Sequence, residues 1–361
     1  MSSKIGEIRA LTGIRGVAAL AVMLSHFSIG HYLPDVQFFV GAIYWADPAV
    51  DLFFMLSAFV LCHIYVQVKP TPQAVRHYFS ARFARIYPLY LATLLFILLL
   101  SSLAAVRRGH FADDLSVGDA IRQALVVNSW PYIGSNIHWN LPAWSISAEA
   151  FCYVFCFPLF WIFWPQWGSL KKIPLIILIM ALLSAAFFYT PRSSDMGNCA
   201  CARAVFGFAI GALVFGVSHQ WKTFSKYAAA ISSASGACFI ALLIVCGLFG
   251  VSNQYLFWIF PTLIMGIAAE SNSVVSKVLS SGPVHYLGMI SYSMYLWHWP
   301  LVKMLIAVIP SIAQTSAAYR SWLFIPFTLG VIIVSSGSYE YLEKPARRIL
   351  RGKLAHANVS R

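Results

Sequence analysis

Two residues in the first apolar stretch of the chain could do chemistry. Arg15 and His26 both lie between Ile8 and Ser28. An arginine deep in a membrane helix costs roughly 2.5–3.5 kcal/mol, so such a residue is rarely kept without a role. Their spacing is close to three helical turns, which places both side chains on one face, about 16 Å apart in height. The pattern predicts a helix that forms one wall of a polar interior.

Further polar side chains fall at two depths in other apolar stretches. Asp51 and Glu149 enter the second and fourth stretches from the side on which His26 lies. A histidine beside a carboxylate suits general-base activation of a hydroxyl group. Arg82 and Arg85 start the third stretch from the opposite side and share one helix face. Guanidinium groups pair bidentately with phosphate, so this pair suits a phosphate-bearing donor that runs through a continuous hollow towards the histidine.

Structural explanations for these residues stay open at this stage. The arginine pair could anchor the protein in lipid, and Asp51 could be a helix N-cap. His298, in the middle of the ninth stretch, could be an ordinary core histidine. Acceptor-binding or supporting roles are predicted for a second set of residues, namely Ser57, Trp144, Ser147, Tyr153 and His298.

The composition is that of a protein embedded in a membrane. Of the 361 residues, 60% are hydrophobic and 10% are charged, whereas a soluble domain carries about 25% charged residues. The net charge of +13 does not indicate nucleic acid, because the basic residues lie between apolar stretches and at the chain ends. This pattern predicts the lipid bilayer as a partner. The apolar stretches take up so much of the chain that we expect no second large soluble domain.

The apolar stretches predict an all-α integral membrane protein, a bundle of about ten transmembrane helices. An even number places both termini on one side, and 17 of the 25 lysines and arginines then fall on that side, which the positive-inside rule makes the cytoplasm. We expect a transmembrane domain over 1–345 and a basic cytoplasmic tail over 346–361, with no cleaved signal peptide. The predicted spans are about 8–28, 49–68, 83–105, 144–164, 173–190, 203–218, 228–250, 255–269, 286–309 and 321–342.

The seven cysteines do not indicate a metal site. Most fall inside apolar stretches, where cysteine behaves as a small hydrophobic residue. Cys199 and Cys201 are too close in sequence for a favourable mutual disulfide, and no zinc spacing is present. We predict neither a metal nor a permanently bound cofactor, and assign no role to this pair or to Lys303.

The polar residues described above lie in sequence blocks spread over nearly the whole chain. The blocks are Ile8–Leu20 with Ser25–Phe27, Val50–Phe59, Tyr78–Pro88, Trp144–Glu149, Ile290–His298 and, at the end, Glu343–Arg348. In this order they resemble the acyltransferase-3 family of integral membrane acyltransferases, which includes bacterial surface-polysaccharide O-acetyltransferases. Ala49 and Ala58 depart from the family pattern, which usually has glycine there.

The resemblance implies a ten-helix bundle, a cytoplasmic acyl-CoA donor and an O-linked product. It marks His26 as the catalytic histidine, Arg15 as its essential helix partner, and Arg82 and Arg85 as the donor-binding pair. The resulting hypothesis is a multi-pass enzyme of the bacterial inner membrane that moves an acetyl group from acetyl-CoA, its co-substrate, to a hydroxyl of an exported or lipid-linked glycan. His26 would be the base, oriented by Asp51 or Glu149, and a transient acyl-histidine is equally permitted.

Other functions remain open. The protein could be a transporter or flippase that makes no bond, although no internal repeat favours this. It could be a non-catalytic scaffold of an export complex, or it could acylate a small natural product. Because the chain ends soon after its last predicted helix, we expect it to act alone or with a separate periplasmic partner; a homodimer is also open.

Overall fold

The computed structural model describes residues 7–29, 46–110, 116–131, 133, 139–167, 196–220, 224–249, 253–269, 272–309 and 317–349. These residues form helices joined by turns, without a strand among them, so the prediction of an all-α protein is confirmed. The α-helices are α1 (Arg9–Ile29), α2 (Ala46–Tyr65), α3 (Pro72–Arg108), α4 (Val117–Ala124), α5 (Ala143–Phe151), α6 (Phe157–Trp167), α7 (Met196–Gln220), α8 (Phe224–Phe249), α9 (Phe260–Ala268), α10 (Val274–Leu279), α11 (Gly282–Met289), α12 (Ser291–Val308) and α13 (Ala317–Ser338). A π-helical turn joins α5 to α6 at Cys152–Cys156, another follows α13 at Tyr339–Glu343, and a 3-10 turn covers Asn253–Trp258.

Six described helical segments are long and apolar enough to cross a membrane. They are Asp47–Tyr65, Pro72–Arg107, Ala143–Phe163, Ala200–Ser218, Lys226–Cys246 and Leu323–Ile349. The chain is therefore a multi-pass membrane protein, as predicted. The predicted span at 173–190 lies outside the described residues, and the number of ten and the side on which the termini lie stay predictions.

Helix α3 begins well before the predicted span. Thr71 is its N-cap, whose hydroxyl oxygen accepts a hydrogen bond from the Ala74 backbone N–H at 3.3 Å, and Pro72 opens the first turn. The sequence prediction started from the apolar residues alone and missed this polar beginning. Arg82 and Arg85 consequently lie about three turns inside a continuous helix rather than at its first turn.

The predicted ninth span is two helices, and the last helix runs further than predicted. Helix α11 ends at Met289 and α12 begins at Ser291, with Ile290 between them. After α13 the π-helical turn leads into a helical segment that continues to Ile349. This extension brings Glu343 into the interior, where its side chain is 1% exposed.

Helix α1 touches its neighbours backbone to backbone. A Cβ atom added to Gly13 would lie 1.9 Å from the carbonyl oxygen of Leu279, and one added to Gly288 would lie 2.0 Å from that of Thr12. A Cβ atom added to Gly16 would lie 2.4 Å from the backbone nitrogen of Gly288. Only glycine permits this approach, so α10 and α11 hold the helix that carries Arg15 and His26 at a fixed position.

Replacing Gly288 with alanine is expected to destabilise the protein by about 1–3 kcal/mol, because the new methyl group overlaps the Thr12 carbonyl. Thermal unfolding of the purified protein measures this as a lower melting temperature. The matched control is Gly282→Ala in the same helix, since a Cβ at Gly282 meets nothing within 4 Å. Equal melting temperatures for the two variants would show that the helices are not in close contact.

Glu7, two residues before α1, adds polar contacts to this packing. Glu7 accepts hydrogen bonds from the Thr12 hydroxyl at 2.7 Å and from the His285 ring at 3.0 Å. Partial burial raises the pKa of Glu7, but these two hydrogen bonds, together with the nearby charges of His285 and Arg9, outweigh it and leave the pKa below its ordinary value. The start of α1 is thereby linked to α11 at the end of the bundle that also holds Arg15.

Candidate active site

A cavity lies between α1, α2, α3, α5 and α12. It has an empty volume of about 720 Å³, part of it open to the surroundings. The predicted arginines meet here although they come from two helices far apart in sequence. The polar side chains that line it include Arg15, Ser57, Arg82, Arg85, Glu149 and Tyr153.

The three cavity arginines have spare hydrogen-bonding capacity. Nε of Arg82 is buried without a hydrogen-bond partner among the described residues, and its guanidinium carbon lies 5.7 Å from the centre of the Tyr153 ring. No ion pair joins Arg15, Arg82 or Arg85 to a carboxylate in the described part of the chain. Charges left without a counter-ion in a membrane interior are costly, so this arrangement favours an anionic ligand.

A hydrogen-bonded chain of side chains also lines the cavity. The Tyr153 hydroxyl donates to Glu149 Oε1 at 2.6 Å, and the Ser57 hydroxyl lies 2.7 Å from the same tyrosine oxygen. Because the tyrosine proton goes to the carboxylate, the Ser57 hydroxyl is the donor of the second bond. Tyr153 belongs to the π-helical turn after α5, a local widening that often marks functional sites.

His26 is paired with His298. Its Nδ1 lies 2.7 Å from Nε2 of His298, and Nδ1 of His298 lies 3.2 Å from the carbonyl oxygen of Met294. A carbonyl only accepts, so Nδ1 of His298 carries the proton. His298 is 0% exposed, where an unpaired charge is costly, so its Nε2 accepts from Nδ1–H of His26. This leaves Nε2 of His26 with the free lone pair that a general base needs.

The histidine pair lies next to the lining of the cavity rather than in it. Among the described residues, the cavity lining includes neither His26 nor His298, but it includes Tyr295. The Tyr295 ring stands edge-on to His298 with 6.0 Å between ring centres, and its hydroxyl is 2.6 Å from that of Ser145. Tyr295 therefore contacts both the cavity and the histidine pair, and the continuous hollow expected from the sequence stays a prediction.

The carboxylates predicted to orient His26 have other contacts in the structure. Asp51 receives hydrogen bonds from Arg203, from Nε at 2.6 Å and from Nη2 at 3.1 Å. Nη1 of Arg203 also lies 2.9 Å from Asp47. Asp51 is 0% exposed, so this is a buried ion pair between α2 and α7. The orienting roles of Asp51 and Glu149 stay predictions, and the ring partner that the structure gives to His26 is His298.

Arg203 is the residue that sequence reasoning missed. It is the first residue of the predicted span 203–218. The sequence signal for this ion pair is a lone arginine at the start of one apolar stretch and an aspartate at the start of another on the same predicted side of the membrane. The partner could not be identified, since 152 positions separate Arg203 from Asp51.

Two residues of the predicted second set serve the packing around the site. The Trp144 ring lies under the guanidinium group of Arg203, 5.6 Å from its carbon. The Ser147 hydroxyl donates to the Val126 carbonyl at 2.9 Å and accepts from the Ser129 backbone N–H at 3.1 Å. These contacts tie α5 to the loop that precedes it. They leave acceptor-binding roles for Trp144 and Ser147 as predictions.

The fold and site together define a class of protein. It is a multi-pass helical membrane protein with an interior cavity lined by three arginines and a hydrogen-bonded histidine pair next to that cavity. The chain belongs to the acyltransferase-3 family, whose sequence model, described as an acyltransferase domain, matches residues 8–339. The resemblance seen in the sequence blocks is thus confirmed.

Three relatives are characterised by name. Peptidoglycan O-acetyltransferase OatA of Listeria monocytogenes is 24% identical over 371 residues, which cover 94% of this chain and 56% of that protein. O-acetyltransferase OatA of Staphylococcus aureus is 23% identical over 366 residues, 94% of this chain and 57% of that protein. Acyltransferase MdmB of Streptomyces mycarofaciens is 32% identical over 168 residues, 45% of this chain and 41% of that protein. The chain thus spans a little more than half the length of the OatA proteins, and no solved structure matches it.

Proposed function

We propose that this protein is a membrane O-acyltransferase that moves an acetyl group from acetyl-CoA to a hydroxyl group of a glycan. The observation that carries the proposal is a cavity lined by three arginines that have no carboxylate partner among the described residues. Its lining residue Tyr295 contacts His298, whose hydrogen bond to Nδ1 of His26 leaves the lone pair on Nε2 of His26. Family membership and the O-acetyltransferase names of two relatives support the reaction class and the glycan acceptor.

In the proposed reaction His26 acts first as base and then as acid. Nε2 of His26 takes the proton of the acceptor hydroxyl while the oxygen forms a bond to the acetyl carbon. The bond between that carbon and the donor sulfur breaks, and the departing thiolate receives the proton from His26. His298 keeps the ring in the required tautomer through its hydrogen bond to Nδ1.

The donor and acceptor approach from opposite sides in this proposal. The arginine end of the bundle faces the cytoplasm of a bacterial inner membrane, where acetyl-CoA is made, and the histidine end faces the exported glycan. The acetyl end of the donor must pass the Tyr295 side chain to reach His26.

Surface glycans test the proposed function directly. Mass spectrometry of glycans from cells with and without this gene is expected to show ester-linked acetyl groups only where the gene is present. Purified protein in lipid nanodiscs should release CoA from acetyl-CoA when de-O-acetylated glycan from the same cells is added. Acetyl esters that are unchanged in the deletion strain would refute the enzyme, and glycan export that fails without any loss of acetyl esters would indicate a transporter.

Replacing Arg82 with alanine is expected to raise the KM for acetyl-CoA by roughly 10- to 100-fold with a smaller change in kcat. The reason is the loss of a hydrogen-bonded charge contact to donor phosphate, which is worth about 1.5–3 kcal/mol. Steady-state CoA release over a range of acetyl-CoA concentrations measures it. Arg76→Ala, an exposed position of the same helix, is the control and should leave KM unchanged; an unchanged KM in Arg82→Ala would make that arginine a lipid anchor.

A further inference from the structure

A second cluster of charged groups lies beside the cavity, where the last helical segment meets α3 and α12. Glu343 accepts hydrogen bonds from the Ser293 hydroxyl on one carboxylate oxygen and from Arg347 on the other. Arg347 also lies over the Tyr339 ring, with its guanidinium carbon 5.9 Å from the ring centre. Tyr292, which directly precedes Ser293 on α12, lines the cavity together with Arg85. The cluster is therefore continuous with the arginine end of the cavity.

Positive charge in this cluster exceeds the negative charge that could compensate for it. Both oxygens of Glu343 already accept hydrogen bonds, one from Ser293 and one from Arg347, and Arg85 has no ion pair with a carboxylate among the described residues. Nε of Arg347 is buried and has no hydrogen-bond partner among the residues that the structure describes. Its side chain is nevertheless 26% exposed. Two like charges held near one another with spare donors form a site for an additional anion.

The position of Arg347 separates this anion site from the first one. Arg82 and Arg85 line the cavity, whereas Arg347 is not among the described lining residues. Arg85 therefore belongs to the group of arginines that line the cavity, and Arg347 lies beside this group but outside the described lining. A ligand that engages both needs two phosphate groups at separate points along its length.

We propose that Arg347 binds a second phosphate group of the acyl donor, the phosphate ester on the ribose of its nucleotide, while Arg82 and Arg85 bind the diphosphate. This inference rests on the proposed function and specifies its donor as a nucleotide with a phosphorylated ribose. Glu343 is the positioning residue, because its hydrogen bond holds the guanidinium group of Arg347 in place.

Two donors that differ only in this phosphate test the assignment. Acetyl-CoA and acetyl-dephospho-CoA, which lacks the ribose phosphate, are compared in steady-state assays with nanodiscs of uncharged lipid. Wild-type protein should have a KM about tenfold higher for the dephospho donor. Arg347→Gln should raise the KM for acetyl-CoA to about that level and leave the KM for acetyl-dephospho-CoA unchanged. Arg348→Gln, the exposed neighbour, is the matched control and should change neither, whereas Arg82→Ala should raise both.

Several results would overturn the assignment, and they differ from failure of the proposed function. If wild-type protein uses both donors equally well, no site for the ribose phosphate exists, whatever the stability of the variants. If Arg347→Gln raises both KM values equally, Arg347 acts only on the structure. If the variant is impaired only in nanodiscs that contain phosphatidylglycerol, and equally with both donors, the phosphate bound is that of a lipid headgroup. If wild-type protein uses neither donor, it is the proposed function that fails.

Discussion

Replacing His26 with alanine is expected to lower kcat for acetyl transfer by roughly 10²- to 10⁴-fold, the usual contribution of a positioned general base. The KM for acetyl-CoA should change little, because the arginines proposed to bind the donor line a cavity whose described lining does not include His26. Steady-state CoA release in the presence of glycan gives both constants. This separation of kcat from KM is what a base predicts and a merely structural histidine does not.

Two further variants sharpen this experiment. His298→Gln keeps a side-chain oxygen that can accept from Nδ1–H of His26, so it should retain more activity than His298→Leu, which has no acceptor. His77→Ala, at an exposed position of α3, is the control and should behave as wild type. A His26→Ala protein that accumulates normally and transfers acetyl groups at the wild-type rate would remove the histidine from the mechanism.

Replacing Asp51 with alanine is expected to destabilise the protein by about 3–5 kcal/mol, the cost of leaving one partner of a buried ion pair uncompensated. Asp51 is fully buried and holds Arg203 through two hydrogen bonds. Arg203→Met should have a comparable effect for the same reason. Thermal or denaturant unfolding of the purified proteins measures both.

The double variant distinguishes an ion pair from two independent roles. Asp51→Ala combined with Arg203→Met removes both charges, so it should be clearly more stable than the sum of the single effects predicts. Additive effects would mean that the pair contributes little. Loss of activity in a double variant of near-normal stability would instead support the catalytic role that the sequence predicted for Asp51.

The positions of the interior polar groups could be predicted from sequence, but several of their partners could not. Burying charge in a membrane is costly enough that Arg15, Arg82 and Arg85 stand out from the apolar residues around them, and the structure brings all of them to one cavity. Hydrophobicity also indicates where helices run. It says little about how each helix is rotated and which helices are neighbours, because lipid and protein interior are similarly apolar.

The histidine pair is an example of a contact that the sequence could not identify. His26 and His298 are 272 positions apart, and both had been identified as interior residues. The expected partners of His26 were carboxylates, since these are the common companions of a catalytic histidine. The actual packing of α1 against α12 gives it an imidazole partner instead. Glu343 was similarly unpredictable, because a π-helical turn and a helical extension beyond the last apolar stretch carry it into the interior.

The glycine contacts of α1 have a consequence for which donors the enzyme can use. Arg15 and His26 lie on one helix, so a helical rise of about 16 Å separates them, and the contacts of Gly13 and Gly16 with α10 and α11 hold that helix in place. If Arg15 helps to bind the donor and His26 is the base, as proposed, the anionic group and the reactive carbonyl of the donor must lie far enough apart to reach both residues. An acyl phosphate, in which the two groups are adjacent, could then reach either residue but not both at once.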